Sequence, residues 1–330
     1  MICLGIESTA HTFGVGISDE KSRKKILSNV KAVYKPPLGF GIHPKEAAEH
    51  HKKNAVDVIK QSLSAAGLEM KDIDIIAVSQ GPGLPPCLNV GMTVAKTLSM
   101  KYKKPLYGVN HCIAHIEIGR MTTGTRDPIF VYVSGGNTQI IGYAAGRYRV
   151  FGETEDIAIG NARDLLARRL GLGNPGGPII DEIAKKGKKY IELPYTVKGM
   201  DLSFTGIVTA TLKKYSSGIR LEDLLYSFQE TTFAMLVEVT ERALAHTGKN
   251  ELLLAGGVAA SPRLQDMMKI MCKERGAKFK CVKKEYAGDC GANIAWTGIL
   301  ARKNKIKPLK MNEKIKQNWR TDEVRWTLKL

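Results

Sequence analysis

The sequence predicts an α/β protein of duplicated architecture, on three observations. Strand-like and helix-like segments alternate through the 330 residues. A strand–polar turn–strand unit opens each half, at residues 2–17 and again at 129–143. Turns rich in glycine or hydroxyl side chains leave the ends of apolar strands at residues 7–12, 133–138 and 254–258. Two such halves bury their sheets separately, and a ligand would be expected in the cleft between them.

Residues 2–6 and 13–17 read as short strands joined by the polar turn 7–12. Residues 45–66 have helical periodicity, and Gly67 follows where a helix end favours glycine. A strand at 73–79 runs into the Gly81-Pro82-Gly83 breaker, followed by a helix at 88–100 and a strand at 105–109. The second cycle opens with a strand at 129–133, a glycine turn at 134–137 and a strand at 138–143. Helices are expected around 158–170 and 221–245, then a strand at 251–254 and a helix at 262–275. The boundary between halves falls near residues 108–128, with lobes at 1–110 and 111–330. The second carries a helical insertion, and a last helix near 289–303 is expected to cross back to the first.

Composition narrows the function. Fifty Lys plus Arg against thirty-two Asp plus Glu give a net charge of +18, which favours polyanionic partners. The plainer account is the lysine-rich surface of a thermophilic or acid-tolerant protein. Glycine makes up 33 residues, above the usual share of ~7%. Its short runs beside apolar strands read as ligand-contact turns. The six cysteines form no CxxC pair, as in a reduced cytoplasmic protein. Met1 leads directly into a strand-like run, and no apolar stretch nears the ~18 residues that span a bilayer. Neither a signal peptide nor a membrane is expected.

The three turns suit phosphate, because glycine admits backbone N–H groups and Ser, Thr or Asn adds donors. They are Glu7 and Ser8 with their neighbours, Ser134-Gly135-Gly136-Asn137, and Gly256-Gly257. Singly, each is equally at home in a hairpin. Asp164 and Asp181 suit ribose hydroxyls, although helix capping is the plainer role for Asp181. Neither GxxxxGK[ST] nor a GxGxxG opening a helix is present.

His111 and His115 stand at i and i+4, so on a helix both imidazoles project from one face and suit one divalent metal. Asp289, after a glycine at a helix head, and Tyr132, two residues before the Ser134 turn, are further ligand candidates. Capping and core packing are their plainer roles. His50 and His51 are adjacent and diverge on a helix, which favours packing or RNA contact over chelation. Cys112 stands where the HExxH zinc-protease pattern needs glutamate, so that reading fails.

Taken together, residues 5–15 (GIESTAHTFGV), 43–48 (HPKEAA), 81–88 (GPGLPPCL), 110–115 (NHCIAH) and 133–138 (VSGGNT) carry a family resemblance. Residues 176–178 (GGP), 203–206 (SFTG), 256–260 (GGVAA) and 320–324 (RTDEV) extend it over essentially the whole chain. The sequence resembles the TsaD family, most closely the archaeal and eukaryotic branch that works in KEOPS complexes. That resemblance implies the duplicated actin/sugar-kinase-like (ASKHA) fold, two lobes with a nucleotide cleft between them. It implies transfer of a threonylcarbamoyl group from threonylcarbamoyl-AMP to N6 of an adenine beside the anticodon, in tRNAs reading codons that begin with A. The implied metal ligands are His111, His115, Tyr132 and Asp289, holding one divalent ion (iron or zinc, with magnesium as the alternative). The implied nucleotide contacts, for ATP or threonylcarbamoyl-AMP, are Ser134, Gly135, Gly136, Asn137, Asp164, Gly177, Asp181, Gly256 and Gly257. The implied partners are tRNA and KEOPS-type subunits, a small kinase/ATPase and small accessory proteins. Ser261 departs from the family's usual asparagine and shortens an expected adenine contact. No covalent nucleophile is expected. The rival readings are an ATPase or non-catalytic nucleotide-binding subunit of a tRNA-associated complex, and a metalloprotease.

Overall fold

The structure, a computed structural model, describes residues 1–36, 41–173 and 175–325. In chain order the first elements are β1 (Ile2–Glu7), β2 (Thr12–Asp19), β3 (Ile26–Val33), α1 (Pro44–Ala66), β4 (Ile75–Gly81), α2 (Pro85–Tyr102), β5 (Leu106–Asn110) and α3 (His111–Thr123). Next come β6 (Ile129–Val133), β7 (Thr138–Ala144), β8 (Arg147–Glu153), α4 (Ile159–Arg169), α5 (Gly176–Ala184), β9 (Val197–Lys198), β10 (Asp201–Leu202), α6 (Thr205–Ser216) and α7 (Leu221–Thr247). The chain closes with β11 (Glu251–Ala255), α8 (Pro262–Glu274), β12 (Lys278–Cys281), α9 (Lys284–Ala287) and α10 (Gly291–Lys303).

Two compact units emerge. One comprises Met1–Thr122, Gly146–Tyr148 and the described residues from Gly288; the other is built mainly from Thr123–Ala145 and Arg149–Ala287. Each has its own five-stranded sheet, ordered β3-β2-β1-β4-β5 in the first and β8-β7-β6-β11-β12 in the second. The orders are the same: an antiparallel hairpin partner beside the founding strand, then two parallel strands on its other side. This repetition is the duplication expected from the two opening hairpins. Each sheet also has its own hydrophobic core, around Leu4, Phe13 and Val78 in one case and Val131, Phe228 and Leu254 in the other.

Local chemistry explains most boundaries. Pro44, Pro85 and Pro262 open α1, α2 and α8, where a missing N–H costs nothing. Gly67 ends α1 in the left-handed region at φ 66° and returns its N–H to Ser64 O. No described helix is long and apolar enough to cross a membrane.

The first unit owes its geometry to α10. Gly5 and Gly16 are register partners on β1 and β2, and α10 lies directly on them. A Cβ on Gly16 would overlap the backbone nitrogen of Ala292, and one on Gly5 that of Ala295. Gly291 makes the reciprocal approach to Val15 and Gly16, and Gly298 packs its bare backbone against Ala77. Small residues on both surfaces thus bring helix and sheet into backbone contact. This contact seats the segment just before α10, which carries Asp289.

Gly16→Ala should therefore destabilise the protein by ~1–3 kcal/mol, the usual cost of overpacking a tight core. The expected signature is a lower urea midpoint at unchanged slope. An unaltered midpoint would show that α10 can lift off the sheet without cost.

Candidate functional site

Asn110 ends β5 and caps α3: its Oδ1 accepts hydrogen bonds from Cys112 N (2.9 Å) and Ile113 N (3.2 Å). The cap fixes where the helix starts, and His111 and His115 then share one face. Their Nε2 atoms stand 3.3 Å apart, and each lies 3.4 Å from Asp289 Oδ1. Both imidazoles are buried, and the Asp289 side chain is 17% exposed. Donor atoms bound at ~2.0–2.1 Å to one tetrahedral ion stand ~3.3–3.4 Å apart, so this triangle is the size of one face of a four-coordinate site. The nitrogen–oxygen donor set also suits zinc or iron better than magnesium, which prefers all-oxygen shells. These three residues therefore fit a divalent ion.

A second layer orients them. Glu7, at the end of β1 and 1% exposed, places Oε2 3.0 Å from His111 Nδ1, while its Oε1 accepts the Thr9 N–H at 2.6 Å. That contact directs the His111 Nε2 lone pair at the triangle. The side-chain amide of Asn293 on α10 lies 3.3 Å from His115 Nδ1. Its amide nitrogen faces the ring, and its oxygen accepts from Cys290 Sγ at 3.0 Å. Burial alone would push the His111 imidazole down, but the carboxylates of Glu7 and Asp289 outweigh it and hold it well above its usual value. Burial likewise works against Asp289, yet hydrogen bonds from both histidines hold it well below the usual carboxylate range. His115 is pushed down, chiefly by burial. Without a metal, a proton therefore resides on His111 between two carboxylates.

Sequence reasoning assigned Glu7 and Ser8 to a phosphate loop. In the structure one Glu7 oxygen meets His111 and the other accepts from Thr9 N, and Ser8 is fully buried against Gly91 of α2. The signal for Glu7's placement was its position at a strand end, which a sequence alone does not connect to residue 111. Tyr132 lies buried on β6 in the second unit, its ring stacked on Phe130 at 5.9 Å. His51 packs beside Phe13 and meets Ala10 O at 3.0 Å, and His50 lies against Tyr34.

The other predicted residues converge within the second unit. Gly135, Asp164, Gly177, Asp181, Gly257 and Ser261 line one cavity of about 460 Å³. Ser134 Oγ accepts the N–H groups of Gly136 (3.3 Å) and Asn137 (3.0 Å) and shapes the glycine turn. Gly256, at φ 100°, fits against Val133 so closely that a Cβ would overlap its carbonyl oxygen. The two glycine turns are thereby held together. Asp164 takes the capping role: its Oδ1 accepts the Gly176 N–H that opens α5 at 2.7 Å. Asp181 sits inside α5, and its Oδ1 accepts from Arg163, Gln229 and Ser261, the last at 3.0 Å. Arg163, 3% exposed, also donates to Gly177 O at 2.7 Å. Sequence reasoning missed Arg163 and Gln229, because a buried guanidinium has no periodic signature.

Comparison with known proteins gives the family and the fold. Residues 25–296 match the family model described as TsaD: tRNA N6-adenosine threonylcarbamoyltransferase. The tRNA N6-adenosine threonylcarbamoyltransferase of Thermococcus kodakarensis is 56% identical over 325 residues, 98% of either chain. A Methanocaldococcus jannaschii protein named probable bifunctional tRNA threonylcarbamoyladenosine biosynthesis protein is 54% identical, matching 99% of this chain but 60% of its own length. Among solved structures, Thermococcus kodakarensis HypF aligns with a TM-score of 0.65 at 14% identity, over 92% of this chain and 48% of HypF. Component A of (R)-2-hydroxyglutaryl-CoA dehydratase from Acidaminococcus fermentans aligns at 0.55 and 12% identity, over 90% and 97%. These two share the fold alone, the duplicated actin/sugar-kinase-like arrangement expected from the sequence.

Metal binding to the triad must displace the His111 proton. Affinity should fall as pH falls, and calorimetry in two buffers of different ionisation enthalpy should detect proton release near neutrality. In the metal-free protein the signs are opposite. The stabilisation from His111 is complete below the unfolded histidine value and disappears as pH rises through its raised folded value. That from Asp289 exists above the unfolded carboxylate value and disappears as pH falls through its lowered one. Metal binding without proton release would remove His111 from the ligand set.

Proposed function

Because this chain belongs to the TsaD family of tRNA N6-adenosine threonylcarbamoyltransferases, we propose that it transfers the threonylcarbamoyl group of threonylcarbamoyl-AMP to N6 of an adenine in tRNA. The acceptor is the adenine beside the anticodon in tRNAs reading codons that begin with A. The work is done in the cytoplasm within a KEOPS-type complex of a small kinase/ATPase and small accessory subunits. The observation that carries this reading is the triangle of His111, His115 and Asp289, three buried or part-buried donors converging on one point. Iron or zinc is the ion proposed there.

In the transfer, N6 bonds to the carbamoyl carbon, the carbon–oxygen bond to phosphate breaks, AMP leaves and N6 loses a proton. AMP is a good leaving group, so the chain needs no covalent nucleophile. A bound divalent ion would supply charge that polarises the carbonyl or holds phosphate and carboxylate in place. The protein's own contribution is positioning. The bare backbone at Gly135 and Gly257 admits a phosphate group. Asp181 receives ribose hydroxyls, and Arg163, Gln229 and Ser261 hold its carboxylate from behind. Ser261 differs from the family's usual asparagine, and its hydroxyl is engaged with Asp181 instead of reaching for a base.

Purified chain, supplied with the synthase, bicarbonate, ATP, labelled threonine and partner subunits, should label unmodified tRNA. The His111→Ala/His115→Ala variant should not, despite an unchanged fold by circular dichroism. Label surviving in that variant would take the metal out of the reaction.

Arg163→Met should weaken AMP binding by roughly tenfold or more, as expected when a buried charged partner is lost. Bound metal should be unaffected. Equal AMP affinity in that variant would separate Arg163 from the nucleotide site.

A further inference from the structure

After α10 the chain crosses the first unit as a strap tied down by its backbone. Leu309 N donates to Leu106 O (2.7 Å), Lys316 N to Gln80 O (2.8 Å) and Gly83 N to Gln317 O (3.1 Å). Side chains add to this: Gln80 Nε2 donates to Lys314 O (2.8 Å), Lys96 Nζ to Glu313 O (2.7 Å) and Asn110 Nδ2 to Trp319 O (3.0 Å). Leu309 and Ile315 turn inward onto the core of the first unit. The strap thus runs from the amino end of β5, at Leu106, to the carboxyl ends of β4 and β5, at Gln80 and Asn110, the edge of an open α/β sheet where ligands bind. It reaches Asn110, the residue that caps α3 immediately before His111.

Its outward side chains are of one sign. Residues 302–320 hold eight Lys or Arg and a single acid, Glu313, whereas the whole chain has 50 basic against 32 acidic residues. A surface built only for solubility intersperses the two signs. Lys305, Lys307, Lys310 and Lys314 are all exposed, and among the described residues none of them has a carboxylate partner. Lys316 is held over the Trp319 ring at 4.4 Å, at the end of the strap nearest the metal triad. Like charges held on a fixed backbone repel one another, and a polyanion laid along them relieves that repulsion by releasing its counterions.

We propose that the strap at residues 305–320 is a phosphate track for the RNA substrate, which guides the sugar–phosphate backbone of one strand towards the α3 metal site. The track rests on the transferase reading and adds to it the surface on which the RNA lies. Its contacts are with phosphates, so it raises affinity without reading base sequence.

The test compares two full-length variants of equal net charge in the complex with partner subunits. One carries Lys305, Lys307, Lys310 and Lys314→Gln; the other carries Lys21, Arg23, Lys24 and Lys60→Gln, all exposed in the same unit. Binding of unmodified tRNA is measured from low to high salt, together with AMP affinity and transfer at saturating tRNA. The strap variant should bind tRNA at least about tenfold more weakly, with the salt slope reduced by about three. AMP affinity and the saturated rate should be unchanged. Equal losses in the two variants, or no loss in the strap variant, overturn the track while leaving the transferase reading standing. Loss of an acidic partner subunit at unchanged tRNA affinity also overturns it, by making the strap a protein interface. A wild-type complex that transfers nothing overturns the reading beneath the track, and the track with it.

Discussion

The backbone contact between α10 and the glycine strip of β1 and β2 is the constraint on which the first unit depends. Gly5, Gly14 and Gly16 on the sheet meet Gly291, Ala292 and Ala295 on the helix, at separations that a single methyl group would violate. Such a contact tolerates almost no sliding, because every small residue has one matching position on the other surface. Asp289 precedes the helix by two residues, so its place relative to α3 follows from that register. Asn293, one turn into α10, arrives at His115 by the same route. A core of larger side chains could hold helix and sheet together with equal energy. It would not hold a carboxylate within a few tenths of an ångström of its place.

That precision matters because the triad is electrostatically expensive before it is filled. Two imidazoles and two carboxylates share a buried volume, and each would lose stability there alone. They offset one another: Glu7 and Asp289 keep a proton on His111, and the histidines keep Asp289 ionised. The arrangement holds the charge that a divalent ion would replace. In the second unit the same economy recurs around Asp181, where three donors meet one carboxylate oxygen and leave the other for a ligand. In both places a residue predicted to touch ligand is oriented by others with no sequence signature.

Strong periodicity was easy to read. The strands at β1, β4, β6 and β11 are apolar runs ending in turns, and α1 has both its proline start and its glycine stop. The strands β3, β8 and β12 were not read, because they carry lysine, arginine or serine on half-solvated faces and resemble loops. Helix α6 was missed, and the helix expected to start near Asp181 begins earlier, at Gly176. Asp181 illustrates the limit well: its position suggested a cap, yet Asp164 supplies the cap and Asp181 faces the cavity.

By itself the sequence determined the α/β duplication, the histidine pair on one helix face and the glycine turns. These depend on periodicity and on residues close in the chain. Only the tertiary structure decided that Glu7 meets His111, and that Asp289 lies beside both histidines. It also decided that Arg163 stands behind Asp181. Glu7 and His111 are 104 residues apart, Asp289 and His111 178, and Arg163 and Asp181 18, the first two pairs joined through sheet order and the packing of α10. Long-range register is set by how small and large side chains interlock across two surfaces, and no local pattern in one segment contains the other surface.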